Sequence, residues 1–450
     1  MLPPKTTLAI VTFAALMVLL NFTKFARPIA ANGVVDFQPR LGSIPEAAAV
    51  RPAPAGSLHQ PRGIVKRNLI DEHGSLTSFY QALWRTESKV PGAVTRILHY
   101  GDSPVTADSI TADARSLFQE HFGDAGHGFI LIAKPWAWYG HRGVEVSGKG
   151  WRMEPASQAR AHDGLHGLGG VSFQANTGAS SHFILDEPHT RIEIDYERQP
   201  GRGRLAVRAE GRPIGEIETD GPAKEPGFLA FALPPGAQTV DLSVEQGPVR
   251  LFGVSFERDA PGVIYNSLGL NGGQVQVVVR YFDKVQWAEQ LQHQRPDLVV
   301  LNYGTNESIF ADYIERYYAG ELREVIGRVK TAVPNASILV MSPMDRGQRA
   351  SSGRITTVPT IPRLVEIQRQ VAAEMGCAFF NTFEAMGGEG TMARWYDNQP
   401  RLVSADFTHP LPGGARKVGV LLDQALETGY RHYKAGQQRQ VAQDRGAGRP

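Results

Sequence analysis

Ser103 follows Gly101-Asp102 at the end of an apolar run, on a turn that would hold its hydroxyl where a substrate can reach it. A serine hydroxyl is a weak nucleophile until a base takes its proton. His409 is the candidate base, because an imidazole with an ordinary pKa of ~6.5 is mostly neutral at working pH. Asp406 lies three residues earlier, in Asp406-Phe407-Thr408-His409-Pro410. On a loop, that spacing lets a carboxylate reach the second ring nitrogen, fix its tautomer and stabilise the imidazolium. The attacked carbonyl develops negative charge, which needs donors aimed at it in advance. The Ser103 backbone N–H, the Gly272 backbone N–H and the Asn306 side-chain amide can supply them. Gly272 has no side chain to block the approach, and Asn306 offers two hydrogens without adding charge. Together these residues describe acyl transfer through a serine ester. Each piece alone is a common surface turn, so the specific signal is their joint order along the chain.

That order follows from the elements that must carry them. Leu76, Phe79, Tyr80, Leu83 and Trp84 recur at helical spacing and stop before Pro91, and Val94 to Tyr100 reads as a strand ending in the Gly-led turn. Ile110, Ala114, Leu117, Phe118 and Phe122 mark a further helix face. Strand, tight turn and helix open a parallel α/β sheet. From 126 to 257 the pattern changes to short runs between Gly/Pro turns, several with period two, such as Ile192, Ile194 and Tyr196. This predicts a β-sandwich of roughly seven or eight strands, with the apolar run Phe228 to Leu233 as a strand buried on both faces. The α/β alternation then resumes. Strands are expected at Val263 to Asn266, Leu298 to Leu301, Ile338 to Met341 and Ala378 to Phe380. Helices are expected at Asp283 to Gln294, Tyr313 to Ala332, Leu364 to Met375 and Ala415 to Tyr430. The fold class is therefore α/β: a doubly wound parallel-sheet domain over 65–125 and 258–433, with the sandwich at 126–257 inserted after its first βα unit. Ligands of such sheets gather at the carboxyl ends of the strands, where the first three blocks fall.

The ends of the chain read differently. Residues 1–27 hold an uncharged apolar stretch from Thr6 to Thr23 between Lys5 and Lys24, close to the ~17 residues that span a bilayer as a helix. An uncleaved anchor and a cleaved signal peptide both fit, and each places the catalytic body outside the cytoplasm, in the periplasm, at the cell surface or secreted. Residues 28–64 are Pro-rich and read as a tether. Residues 434–450 have little to bury and are expected to be disordered. With 47 Lys plus Arg against 45 Asp plus Glu, no global field gathers nucleic acid. A single cysteine, Cys377, excludes an intramolecular disulfide and a multi-cysteine zinc site.

On these residues the chain resembles the SGNH/GDSL hydrolase superfamily. Its four blocks look like His99-Tyr100-Gly101-Asp102-Ser103, Asn266 to Gly272, Gly304-Thr305-Asn306-Glu307 and Asp406-Phe407-Thr408-His409. The resemblance implies Ser103 as nucleophile, His409 as base, Asp406 as its partner, and Ser103, Gly272 and Asn306 in the oxyanion hole, with no cofactor and no metal. Gly269 is an alternative for the second block. The Gly-Thr-Asn-Glu form and the interrupting β domain are similar to peptidoglycan O-acetylesterases, which implies an acylated polysaccharide as substrate. Pro104 departs from the family's pattern, which has Leu there.

Three functions fit: a serine esterase removing acetyl or another small acyl group from an extracytoplasmic polysaccharide, an O-acetyltransferase with the same triad, and a catalytically silent glycan-binding protein. His162 and His166 have helical metal-ligand spacing but sit in a Gly-rich sequence that is not helical. Trp136, Trp138, Tyr139 and Trp151 either stack on sugars or seal the junction between the domains. Cys377 reads as a core residue.

Overall fold

Residues along the central strands alternate between two apolar faces, and that alternation dictates the architecture. Ile97 faces one core while Leu98 and Tyr100 face the other; Leu298 and Val300 oppose Val299 and Leu301; Leu339 and Met341 oppose Ile338 and Val340. A sheet apolar on both sides must be covered on both sides. The computed structural model describes residues 68–158, 161, 163–201 and 203–447, and in it helices lie on each face. The strands are β1 (Leu69–Ile70), β2 (Val94–Gly101), β3 (Gly262–Gly269), β4 (Leu298–Asn302), β5 (Ser337–Met341) and β6 (Ala378–Phe380), in the order β1-β6-β5-β4-β2-β3. All pairs are parallel except β1 with β6, so the sheet is mixed at one edge.

On one face lie α1 (Thr77–Glu87), α3 (Thr111–Phe122) and the final helix α8 (Pro412–Ala447), contributing Phe79, Phe118 and Leu422 to a common core. Between β2 and α3 sits the single turn α2 (Ser103–Thr106). The other face carries α5 (Lys284–Gln294), α6 (Ala319–Ala332) and α7 (Thr360–Glu374), after a short α4 (Val275–Tyr281) that the sequence reading missed. The expected long helix from Tyr313 contains a π-helical turn over Ile314–Tyr318. The last helix runs on to Ala447, which corrects the expected disordered tail from 434. Gln, Arg, Ala and Lys propagate a helix well once it is nucleated by the packed turns before them.

Register places the functional loops. Gly101 pairs with Gly269 on one side and with Asn302 on the other, so β2, β3 and β4 end level. Side chains two to four residues beyond those ends therefore share one crevice.

The inserted domain is a sandwich of a five-stranded and a six-stranded antiparallel sheet, more strands than expected. Pieces as short as Gly128–Ile130 and Arg152–Pro155 carry too few residues to show an alternation. The run predicted as doubly buried lies in the strand Glu225–Ala232 at a sheet edge, with Leu229 38% exposed. Its Phe228 stacks on His293 of α5, ring centroids 3.6 Å apart, so apolar residues there cover a helix and not a second sheet. The sandwich core is continuous with the α5–α7 side of the α/β core. Glu257, at the exit of the insertion, holds Arg96 of β2 at 2.5 Å and also pairs with Arg191 of the sandwich.

The expected anchor and tether, 1–27 and 28–64, lie outside the described residues. Among the described residues no helix is long and apolar enough to cross a membrane.

Candidate active site

Ser103 is placed by a backbone that only small residues allow. A Cβ on Gly101 would stand 2.5 Å from Cγ2 of Val105, and one on Gly269 would stand 2.0 Å from the Thr106 nitrogen. The absence of both lets α2 fold back tightly over the ends of β2 and β3 and lifts the Ser103 hydroxyl into the crevice. Gly269 is therefore required for this close packing.

Ser103 Oγ lies 2.8 Å from His409 Nε2, and His409 Nδ1 lies 2.5 Å from Asp406 Oδ2. The residues come from opposite ends of the chain, and the order serine, imidazole, carboxylate is continuous. The other Asp406 oxygen accepts from the backbone N–H of Thr408 at 2.9 Å and of His409 at 3.0 Å, and from the Ser404 hydroxyl. Phe407 adopts a left-handed φ of 57°, which closes this turn; its ring is held edge-on by Tyr396 at 4.9 Å. Burial alone would raise the Asp406 carboxyl, but His409, Ser404 and the two amides outweigh it and hold the group well below the usual range. The Asp406 hydrogen bond raises His409 above its ordinary value.

The three donor groups lie at the level strand ends. Ser103 N–H opens a helical turn, where no intrahelical acceptor exists, and neither it nor the Gly272 N–H has an acceptor among the described residues. Gly272 has φ +68° and open space where a side chain would be. Asn306 donates from Nδ2 to Gly273 O at 2.9 Å, which ties its block to the Gly272 loop and leaves one amide hydrogen free.

Three further residues bear on the site and carried no role in the sequence reading. Glu307 is wholly buried and accepts from Val275 N at 2.8 Å and Gly304 N at 3.1 Å, clamping the two loops together; burial pushes its carboxyl up to about 8. Asp102, next to Ser103, is pushed up to about 6 by burial. Arg346 donates to Thr305 O at 2.7 Å. Nothing in the local sequence marks Arg346, since it reaches the site from the loop after β5.

The remaining candidates separate clearly. Trp136, Tyr139 and Trp151 are buried with their polar atoms bonded inside the insertion, whereas Trp138 is 54% exposed. His166 is buried with Nδ1 near Glu154 O and is not on a helix; His162 lies outside the described residues. Cys377 is buried, which pushes its thiol up to about 11. Among the described residues no group of three His, Cys, Asp or Glu is placed to hold a metal.

Residues 237–417 match the family model of the GDSL-like lipase/acylhydrolase family, a span that holds the last three blocks and begins after the Ser103 block, as an inserted domain requires. Among solved structures, one described as a peptidoglycan O-acetylesterase in action superposes with a TM-score of 0.69 at 21% identity, covering 81% of this chain and 99% of that one. A Bacillus subtilis protein, YXIM, is similar at a TM-score of 0.33 and 15% identity over 63% of this chain and 90% of that one. A salicylyl-acyltransferase from a tetracycline biosynthetic pathway gives 0.28 and 14% over 64% and 98%. No curated protein sequence matches. Residues 237–417 are thus similar to the GDSL-like lipase/acylhydrolase family, within an α/β fold divided by an inserted β-sandwich and shared with the O-acetylesterase structure.

Proposed function

We propose that this protein removes O-acetyl groups, or other small acyl groups, from an extracytoplasmic polysaccharide such as peptidoglycan. The observation that carries this reading is the unbroken hydrogen-bonded line from Ser103 through His409 to Asp406. Ser103 Oγ attacks the ester carbonyl as its proton passes to His409 Nε2, and Asp406 stabilises the resulting imidazolium. The oxyanion takes hydrogen bonds from the Ser103 and Gly272 amides and from Asn306. His409 then returns the proton to the departing sugar hydroxyl, leaving an acyl-serine. Water, deprotonated by the same imidazole, releases the acid and restores the hydroxyl. The apolar segment Thr6 to Thr23 anchors the body on the outer side of a membrane, where such a polysaccharide lies.

The fold similarity to a peptidoglycan O-acetylesterase supports the substrate class. The direct test is incubation of O-acetylated peptidoglycan with the protein, followed by measurement of free acetate and mass spectrometry of a phosphonyl adduct. Acetate release and label on the Ser103 peptide are expected. Label on another residue would remove the assignment, and acetyl moved to a sugar acceptor in place of free acetate would make the protein a transferase. Asn306→Ala removes one donor to the oxyanion, and kcat is expected to fall about 10²-fold or more with KM little changed. Steady-state kinetics on an aryl acetate check this, and an effect confined to KM would place Asn306 in ground-state binding.

A further inference from the structure

Most arginines of this fold that lie near a carboxylate are paired with one, as Arg96 and Arg191 are with Glu257 and Arg115 is with Asp108. The rim beside the catalytic loop is different. Arg346, Arg349, Arg354 and Arg401 make no ion pair among the described residues. Arg349, Arg354 and Arg401 are exposed and Arg346 is half-buried.

Their positions are fixed by contacts to the site. Arg346 Nη1 donates to Thr305 O at 2.7 Å and Ser308 Oγ at 3.2 Å, on either side of Asn306-Glu307. The next residue, Gly347, donates its N–H to Phe407 O at 2.8 Å, inside the loop that carries Asp406 and His409. Arg346 therefore bridges the Asn306 block and the catalytic loop. Arg349 lies over the Phe407 ring at 5.2 Å, and Arg401 lies over Tyr396 at 4.1 Å, with Tyr396 itself against Phe407. The aromatic pair orients both guanidiniums on one rim. Only Nη1 of the Arg346 fork is spent, so Nε and Nη2 have no acceptor among the described residues.

Resting on the esterase reading, we propose that Arg346, with Arg349 and Arg401 beside it, binds a carboxylate carried by the substrate next to the ester, so that the enzyme acts on an acylated acidic sugar. A guanidinium edge with two unspent N–H groups matches a planar carboxylate bidentately. The need for it is electrostatic. Asp102 and Asp406 stand at the same site and interact with Arg346, and they would repel an anionic substrate if no cation faced it. Arg346 is a specificity residue here, not one that touches the scissile bond.

The test compares two substrates that differ in one charge: O-acetylated N-acetylmuramic acid and the same sugar with its carboxylate converted to a primary amide. For the unaltered enzyme, kcat/KM for the acid is expected to exceed that for the amide by about tenfold, with the ratio shrinking as salt screens the rim. Arg346→Gln should bring the ratio close to one, mainly through KM, and Arg401→Gln should reduce it in part. If Arg346 only offset Asp102 and Asp406, its loss would lower turnover of both esters alike and leave the ratio in place, which would overturn the proposal. Should Arg346→Gln fail to fold, Arg401→Gln and the ratio in the unaltered enzyme still decide. Equilibrium binding of N-acetylmuramic acid and its amide to the protein decides independently of turnover: equal affinity overturns the carboxylate site. Loss of the esterase reading would show separately, as absence of acetate release from either ester.

Discussion

Ser103→Ala is expected to lower kcat/KM for an aryl acetate by about 10⁴-fold or more while leaving the thermal midpoint almost unchanged. The two halves of that expectation come from different features of the site. Activity collapses because Oγ is the atom that would bond to the acyl carbon, and the donors around it can only stabilise an oxyanion that a nucleophile has first created. Removing one member of a group that acts as a unit costs nearly as much as removing them all. Stability survives because the lost hydrogen bond joins Ser103 to an imidazole that faces solvent, so His409 Nε2 exchanges a hydroxyl for water. No buried polar atom is orphaned and no cavity larger than one oxygen opens, which keeps the change within ~0.5 kcal/mol. Circular dichroism and thermal denaturation beside the kinetics separate the two effects. A variant that is folded and retains more than a small fraction of activity would show that the ester is cleaved elsewhere.

How much of this was legible in the sequence depends on where each signal is written. The chemistry-bearing residues stand at strand ends, where an apolar run stops at glycine, so Ser103, Gly272 and Asn306 could be placed on one crevice before any coordinates. Strands apolar at every position, such as Leu298 to Leu301, announced a sheet covered on both faces, and helices do cover both. Other features are written only in three dimensions. Phe228 to Leu233 carries the composition of a central strand but lies at an edge, because a helix supplies its apolar partner. Glu307 reads as part of a motif, while its work is to accept two amides from loops some thirty residues apart. Gly269 and Gly272 look alike in sequence. One is needed where backbone crowds to within 2.0 Å and the other where the chain turns at positive φ beside open space. Arg346 has no local mark at all, since its relevance arises from a loop that meets Thr305 and Phe407 only after folding.

Asp406→Asn is expected to lower kcat by about 10⁴-fold, although it removes no atom's bulk. In the native arrangement His409 Nδ1 carries a proton donated to Asp406 Oδ2, which leaves Nε2 free to accept from Ser103. An amide can keep its oxygen toward the Thr408 and His409 N–H groups, and it then presents NH₂ to Nδ1. Two donors cannot face each other, so the ring adopts the other tautomer, with hydrogen on Nε2 pointing at the serine oxygen. The base is lost while the geometry remains. The pH profile supplies a second signature. The hydrogen bond and charge of Asp406 raise His409, so in the native enzyme kcat/KM is full at high pH and is lost as pH falls through a value above ~6.5, where the imidazole is protonated and can take no further proton. Without that carboxylate, burial of the ring and the charge of Arg346 both lower its proton affinity, and Asp102 raises it. The acid limb of the residual activity should therefore move to lower pH. Measuring kcat/KM from pH 5 to 9 for both proteins tests the pair of expectations together. A kcat loss under tenfold, or an acid limb that stays in place, would mean that Asp406 neither sets the tautomer nor holds the proton on His409.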